Sequence, residues 1–127
     1  MKEFISKISD AEFEIMRVLW DHQKSLSLAE ICMELENKNN WNKSTTKTLV
    51  YRLLKKGAIT QEKRHIYYYT PVITEADFQV FSTRTLVDKL YHGNAKNLLV
   101  SLVSSSNLSE KDIEELRSLL QEDPENE

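Results

Sequence analysis

The chain has one cysteine, two glycines and two prolines in 127 residues. Each shortage excludes something. A lone Cys32 cannot close an internal disulfide, which suits a reducing compartment. Two glycines leave no loop to cradle a phosphate and no dinucleotide-binding fingerprint. No apolar run approaches the ~20 residues needed to span a bilayer, so no membrane insertion is expected. The opening "MKEFISKISD" lacks the apolar core of a signal peptide, and a cytoplasmic location is expected. His22, His65 and His92 stand apart from one another and from any catalytic signature, so no enzyme is expected. Cys32 falls mid-helix beside core positions, which points to a buried thiol rather than a redox or metal centre. No metal and no cofactor is expected.

What is present is an uneven charge. The net charge is −3. Residues 1–72 hold 12 Lys/Arg against 9 Asp/Glu, while residues 73–127 hold 5 against 11. Within 43–64, seven basic residues face Glu62 alone. A local basic patch governs polyanion binding more than the total does.

Helix signals open the chain. Ser9 with Glu12 makes a capping box, and Phe13, Ile15, Met16, Leu19 and Trp20 follow at helical spacing. Ser27 with Glu30 repeats the device, with Leu26 and Ile31 as a hydrophobic staple. A polar loop ends at Trp41. A third helix starts at Asn42, buries Thr46, Leu49, Val50 and Leu53, and stops at Gly57. The period then changes to two. "AITQEK" and "HIYYYT" read as strands around a basic turn near Lys63 and Arg64, with Pro71 ending the second. Thr74 caps a fourth helix reaching about Tyr91, and Gly93 breaks it. "NLLVSLV" reads as a short helix. Ser109 and Asp112 cap a last one bearing Ile113, Leu116 and Leu120. "QEDPENE" reads as a frayed acidic tail.

The outer face of the third helix carries Lys43, Ser44, Lys47, Thr48, Arg52 and Lys55. Short hydroxyl side chains let a helix approach a major groove closely, and threonine methyls can meet thymine methyls. The helix N-terminus favours phosphate. A solvated basic face is the plain alternative. Three helices followed at once by a basic two-stranded turn is, however, the order of a winged helix-turn-helix. Lys63 and Arg64 at the wing would then lie along flanking phosphates.

The fold class expected is mainly α with a small β wing. A winged helix-turn-helix DNA-binding domain would occupy 1–73 and a helical dimerisation domain with an acidic tail 74–127. Phe78, Phe81, Leu90, Leu98, Leu102, Ile113, Leu116 and Leu120 are too many apolar positions for an isolated appendage of this size. A two-fold homodimer is expected, facing a pseudo-palindromic operator in double-stranded DNA. A protein-interaction adaptor on the same fold is the alternative.

"ISDAEFEIMRVLW", "WNKSTTKTLVYRLLKKGAI", "YYYTP" and "LSEKDIEELRSLL" resemble the penicillinase repressor family of winged-helix regulators, over nearly the whole chain. The resemblance implies a homodimeric repressor of β-lactam resistance genes. It places DNA contacts on Lys43, Ser44, Thr45, Lys47, Thr48 and Arg52. It also implies release when a membrane β-lactam sensor triggers proteolysis in the dimerisation lobe. Where close relatives have an Asn-Phe scissile pair, this chain has Ser101-Leu102. The wing is shorter than in some relatives. Copper-responsive members end in a cysteine cluster, and no cysteine follows Cys32 here.

Overall fold

The computed structural model describes residues 3–121. The acidic tail beyond Gln121 lies outside the described residues. A 3-10 turn, Glu3–Lys7, precedes α1 (Asp10–His22), β1 (Leu26–Ser27), α2 (Leu28–Asn39) and α3 (Lys43–Lys56). The hairpin β2 (Ile59–Lys63) and β3 (Tyr67–Pro71) follows, then α4 (Glu75–Tyr91), α5 (Ala95–Ser105) and α6 (Glu110–Gln121). A mainly helical chain with a small β wing is the architecture expected from the sequence.

The caps act as read. Ser9 Oγ accepts from the Glu12 N–H at 3.1 Å while the Glu12 carboxylate accepts from the Ser9 N–H at 3.0 Å. Ser27 and Glu30 repeat the exchange at the start of α2. Each box satisfies two backbone donors that a helix start would leave unpaired. Asn42 Oδ1 accepts from the Thr45 N–H at 2.8 Å and opens α3. Gly57, at φ +80°, closes it, and the Ala58 N–H reaches back to the Leu53 carbonyl at 3.0 Å. Thr74 Oγ1 accepts from the Asp77 N–H at α4, and Ser109 pairs with Asp112 at α6.

One strand was not legible. β1 is only two residues long, and Ser27 also caps α2. It pairs antiparallel with β3, Leu26 opposite Tyr69 and Ser27 opposite Tyr68, giving the sheet order β1-β3-β2. β2 and β3 pair antiparallel from Ile59–Pro71 to Lys63–Tyr67. The Val72 N–H donates to the Ala58 carbonyl at 2.9 Å, tying the hairpin base to the end of α3.

The chain divides into two compact units, residues 1–85 and 86–127. In the first, Ile15, Met16, Leu19, Leu26, Ile31, Leu35, Leu53 and Ile59 are fully enclosed. Their burial supplies the main stabilising term. Trp20 Nε1 donates to the Ile73 carbonyl at 2.9 Å, so the indole is both packed and satisfied. Glu12 is 2% exposed, yet its Oε1 accepts from Lys56 Nζ at 2.6 Å. The same ammonium donates to the Lys7 carbonyl. That pair joins α1 to the last turn of α3.

Phe78 and Phe81 have apolar neighbours within the first unit. Both pack, partly buried, on the core of the first unit. The Phe78 ring lies 5.2 Å from Trp20 and 5.5 Å from Phe13, centroid to centroid. The first unit therefore runs into α4, past the expected junction at residues 73 and 74. Two aromatics on the first turns of α4 find apolar partners in their own chain, which the spacing of α4 alone does not reveal.

In the second unit, Val87 is buried, while α5 and α6 hold no buried residue. Among the described residues no helix is long and apolar enough to cross a membrane.

Candidate nucleic-acid interface

Four inward residues set the rotation of α3. Thr46, Leu49, Val50 and Leu53 are buried. Lys43, Ser44, Thr45, Lys47, Thr48, Arg52 and Lys55 are all exposed. The helix therefore turns its whole polar half outward. Thr45, intermediate by spacing, also faces solvent, and its N–H belongs to the Asn42 cap.

What sets this face apart is the number of exposed cations gathered on one helix. Elsewhere in the first unit some charges are paired, while Arg17 and Lys24, like the outward cations of α3, meet no carboxylate among the described residues. His22 meets Glu34 at 3.2 Å, Lys38 meets Glu34 at 3.4 Å, and Lys56 meets Glu12. Lys43, Lys47, Arg52, Lys55 and Lys63 have no carboxylate within ion-pair distance among the described residues. Unneutralised cations at the free start of a helix attract a polyanion.

The wing differs in detail from the sequence reading. Lys63 ends β2, and its ammonium sits 5.4 Å from the Tyr67 ring centroid. Arg64 already has partners. It donates to Glu62 Oε1 at 3.1 Å and to Ser25 Oγ at 3.5 Å, and lies 4.7 Å from the Tyr68 ring centroid. Glu62 and Arg64 are both largely exposed, so this pair is worth little, and a phosphate can replace the carboxylate. The turn itself closes with the Arg64 N–H donating to the Ile66 carbonyl at 2.9 Å.

Between α2 and α3 lies a cleft of about 410 Å³, lined by Leu28, Ala29, Cys32 and Met33, with Lys43, Lys47 and the acidic Glu36 also on its wall. Cys32 is buried, as expected, and burial pushes its thiol pKa up, so it is a poor nucleophile.

Sequence reading missed Tyr51, which is 60% exposed on the same outward face. It follows Ser44 and Thr48 at i, i+4, i+7 spacing, a signal that was available.

In the second unit, Leu90 and Leu102 are exposed at 56% and 45%. Leu98 and Leu116 are half-buried, and Ile113 and Leu120 are exposed. A cleft of about 510 Å³ is lined by Leu99, Val103, Ile113, Leu116, Leu119 and Leu120. Ser101 lies inside α5, and its Oγ accepts from the Tyr91 hydroxyl at 3.0 Å; Leu102 follows it in the same helix.

Comparison with known proteins bears on these surfaces. The family model described as Penicillinase repressor matches residues 8–122. The chain belongs to the penicillinase repressor family. Family membership makes it a transcriptional regulator and not an enzyme. It is 34% identical to the Penicillinase repressor of Bacillus licheniformis, over 93% of this chain and 92% of that one. It is 36% identical to the Penicillinase repressor of Staphylococcus aureus, covering 90% of each. The Methicillin resistance regulatory protein MecI of Mammaliicoccus sciuri is 34% identical over 90% of this chain and 93% of its own. Among solved structures, the DNA binding domain of the repressor BlaI aligns with a TM-score of 0.52 and 42% identity, covering 57% of this chain and 89% of that one. Helix α3 and the β2–β3 hairpin, with their exposed cations, both lie in the first unit.

Proposed function

We propose that the chain is a homodimeric repressor that binds a pseudo-palindromic operator in double-stranded DNA and controls β-lactam resistance genes. The observation that carries this reading is the exposed, carboxylate-free face of α3. Its first turns offer Ser44, Thr45 and Thr48 for base edges, while Lys43, Lys47, Arg52 and Lys55 offer charge for phosphates. Lys63 and Arg64 extend the contact along the backbone. The names of the relatives, a penicillinase repressor and a methicillin resistance regulatory protein, support the gene class.

Energetics support the dimer. Helices α5 and α6 leave Leu99, Val100, Leu102, Val103, Leu119 and Leu120 exposed, and a second copy would cover them. Leu90, Leu98, Leu102, Ile113, Leu116 and Leu120 form the proposed interface; Phe78 and Phe81 already have intrachain partners. A two-fold pair presents two α3 helices to half-sites one helical turn, or a multiple, apart. Relief of repression would come from a protease of a membrane β-lactam sensor pathway acting at Ser101-Leu102. Both residues lie within α5, so cleavage requires that helix to unwind first. A cytoplasmic location accompanies this role.

The test is selection of DNA fragments by the full chain, followed by sequencing and binding across a salt series. One recurrent two-fold sequence and a steep loss of affinity with salt are expected. Recovery of random fragments, or affinity indifferent to salt, would favour an adaptor role instead.

A further inference from the structure

Ser44, Thr48, Tyr51 and Lys55 form the crest of α3, the line farthest from the buried Thr46 and Leu53. Three of these residues are short or cationic. Tyr51 is neither. It keeps 60% of its surface in water on a helix that buries four other side chains. Lys55 Nζ lies 5.5 Å from its ring centroid, a cation–π contact that holds the ring against the crest. Tyrosine presents a large, rigid area at low entropic cost, which is why it concentrates at recognition surfaces.

This inference rests on the proposed entry of α3 into the major groove. Seven residues separate Ser44 from Tyr51, a rise of about 10 Å along the axis. Base pairs step by about 3.4 Å. Tyr51 then meets a base pair roughly three steps from the one facing Ser44. Its ring offers apolar surface to what distinguishes thymine there, the C5-methyl group. Ser44 and Thr48 allow the first turns to approach closely, and the bulk of Tyr51 limits how far the rest can follow.

We propose that Tyr51 is a specificity-determining residue of the DNA interface, reading a thymine methyl through its ring, with Lys55 fixing the ring's position.

The experiment uses the full chain and a duplex obtained by selection. Thymines are replaced one at a time by deoxyuridine, which removes only the methyl group. For the unsubstituted protein, replacement at one position, in either half-site, should weaken binding about fourfold, the worth of one buried methyl. Tyr51→Ala should lose about tenfold on the selected duplex, under twofold on random DNA, and all sensitivity to that replacement. Tyr51→Phe should keep the sensitivity, because the ring carries the contact. The proposal is overturned if no deoxyuridine matters, or if Tyr51→Ala loses equally on both DNAs. It is also overturned if Tyr51→Phe fails as badly as Tyr51→Ala, which would make the hydroxyl a phosphate contact. An unsubstituted protein with no sequence preference would overturn the proposed function and this inference with it. The outcomes above arise only with a protein that does select a sequence.

Discussion

Replacing Lys56 by methionine should expose how much one ion pair holds α1 to α3. Glu12 is almost fully buried, and its carboxylate has two donors, the Lys56 ammonium and the Ser9 N–H. Methionine keeps the aliphatic stem and removes the charge. The carboxylate is then left with one neutral donor. Breaking a buried pair from one side costs about 3–5 kcal/mol. Lys56 is 30% exposed, which puts the expected cost at the lower end, about 3 kcal/mol. The sign of the pH dependence follows. Burial pushes the Glu12 pKa up, but the Lys56 and Ser9 hydrogen bonds outweigh it, so the folded value lies below the ordinary one. In the parent protein Glu12 therefore stabilises the fold above the unfolded pKa of about 4.3, and this is lost as pH falls through the folded value. Without Lys56 the upward push of burial has less opposing it, and protonation relieves the defect. The penalty of Lys56→Met should thus be largest at pH 7 and shrink towards pH 4. Urea denaturation at fixed protein concentration, at both pH values, measures this. A penalty below about 1 kcal/mol at pH 7, or one equal at both pH values, would refute the role given to the pair.

Among the described residues, Thr46 Oγ1 is buried without a hydrogen-bond partner. Thr46→Val should therefore be neutral or stabilising by up to about 1 kcal/mol in thermal denaturation, with DNA affinity unchanged. Gly57→Ala should cost about 1–2 kcal/mol, because the φ of +80° is left-handed and no neighbouring atom obstructs a methyl group. Leu116→Asp should place a charge in the proposed interface and yield monomers in sedimentation; an intact dimer would remove Leu116 from it. Arg52→Ala should weaken operator binding and reduce the salt slope by about 1, as one lost phosphate contact does; an unchanged slope would remove Arg52 from the interface.

The helices were legible because their ends are chemically marked. Ser9, Ser27, Asn42, Thr74 and Ser109 are each followed by the hydrogen bond their position calls for. The hairpin was legible from a change of period after Gly57. β1 was not, since two residues have no period and Ser27 reads as a cap. The fate of Phe78 and Phe81 was hidden because helical spacing gives a face, not the partner that covers it. Phe13 and Trp20, the partners of Phe78, lie about sixty residues away. Within α3 the buried four and the exposed cations followed from spacing. The freedom of those cations from carboxylates did not, because Glu12, Glu34 and Glu62 choose their partners only in three dimensions. The wing illustrates this, for Arg64 and Lys63 read alike in sequence while only Arg64 has an acidic partner.

The central claim is that the outward face of α3, with the wing beside it, is the surface that holds DNA. Amide chemical-shift mapping of the full chain, titrated with its selected duplex, tests it most directly. The account predicts the largest changes at residues 43–55, smaller ones at residues 62–66, and little along α5 and α6. Changes concentrated on α5 and α6, with α3 undisturbed, would contradict it.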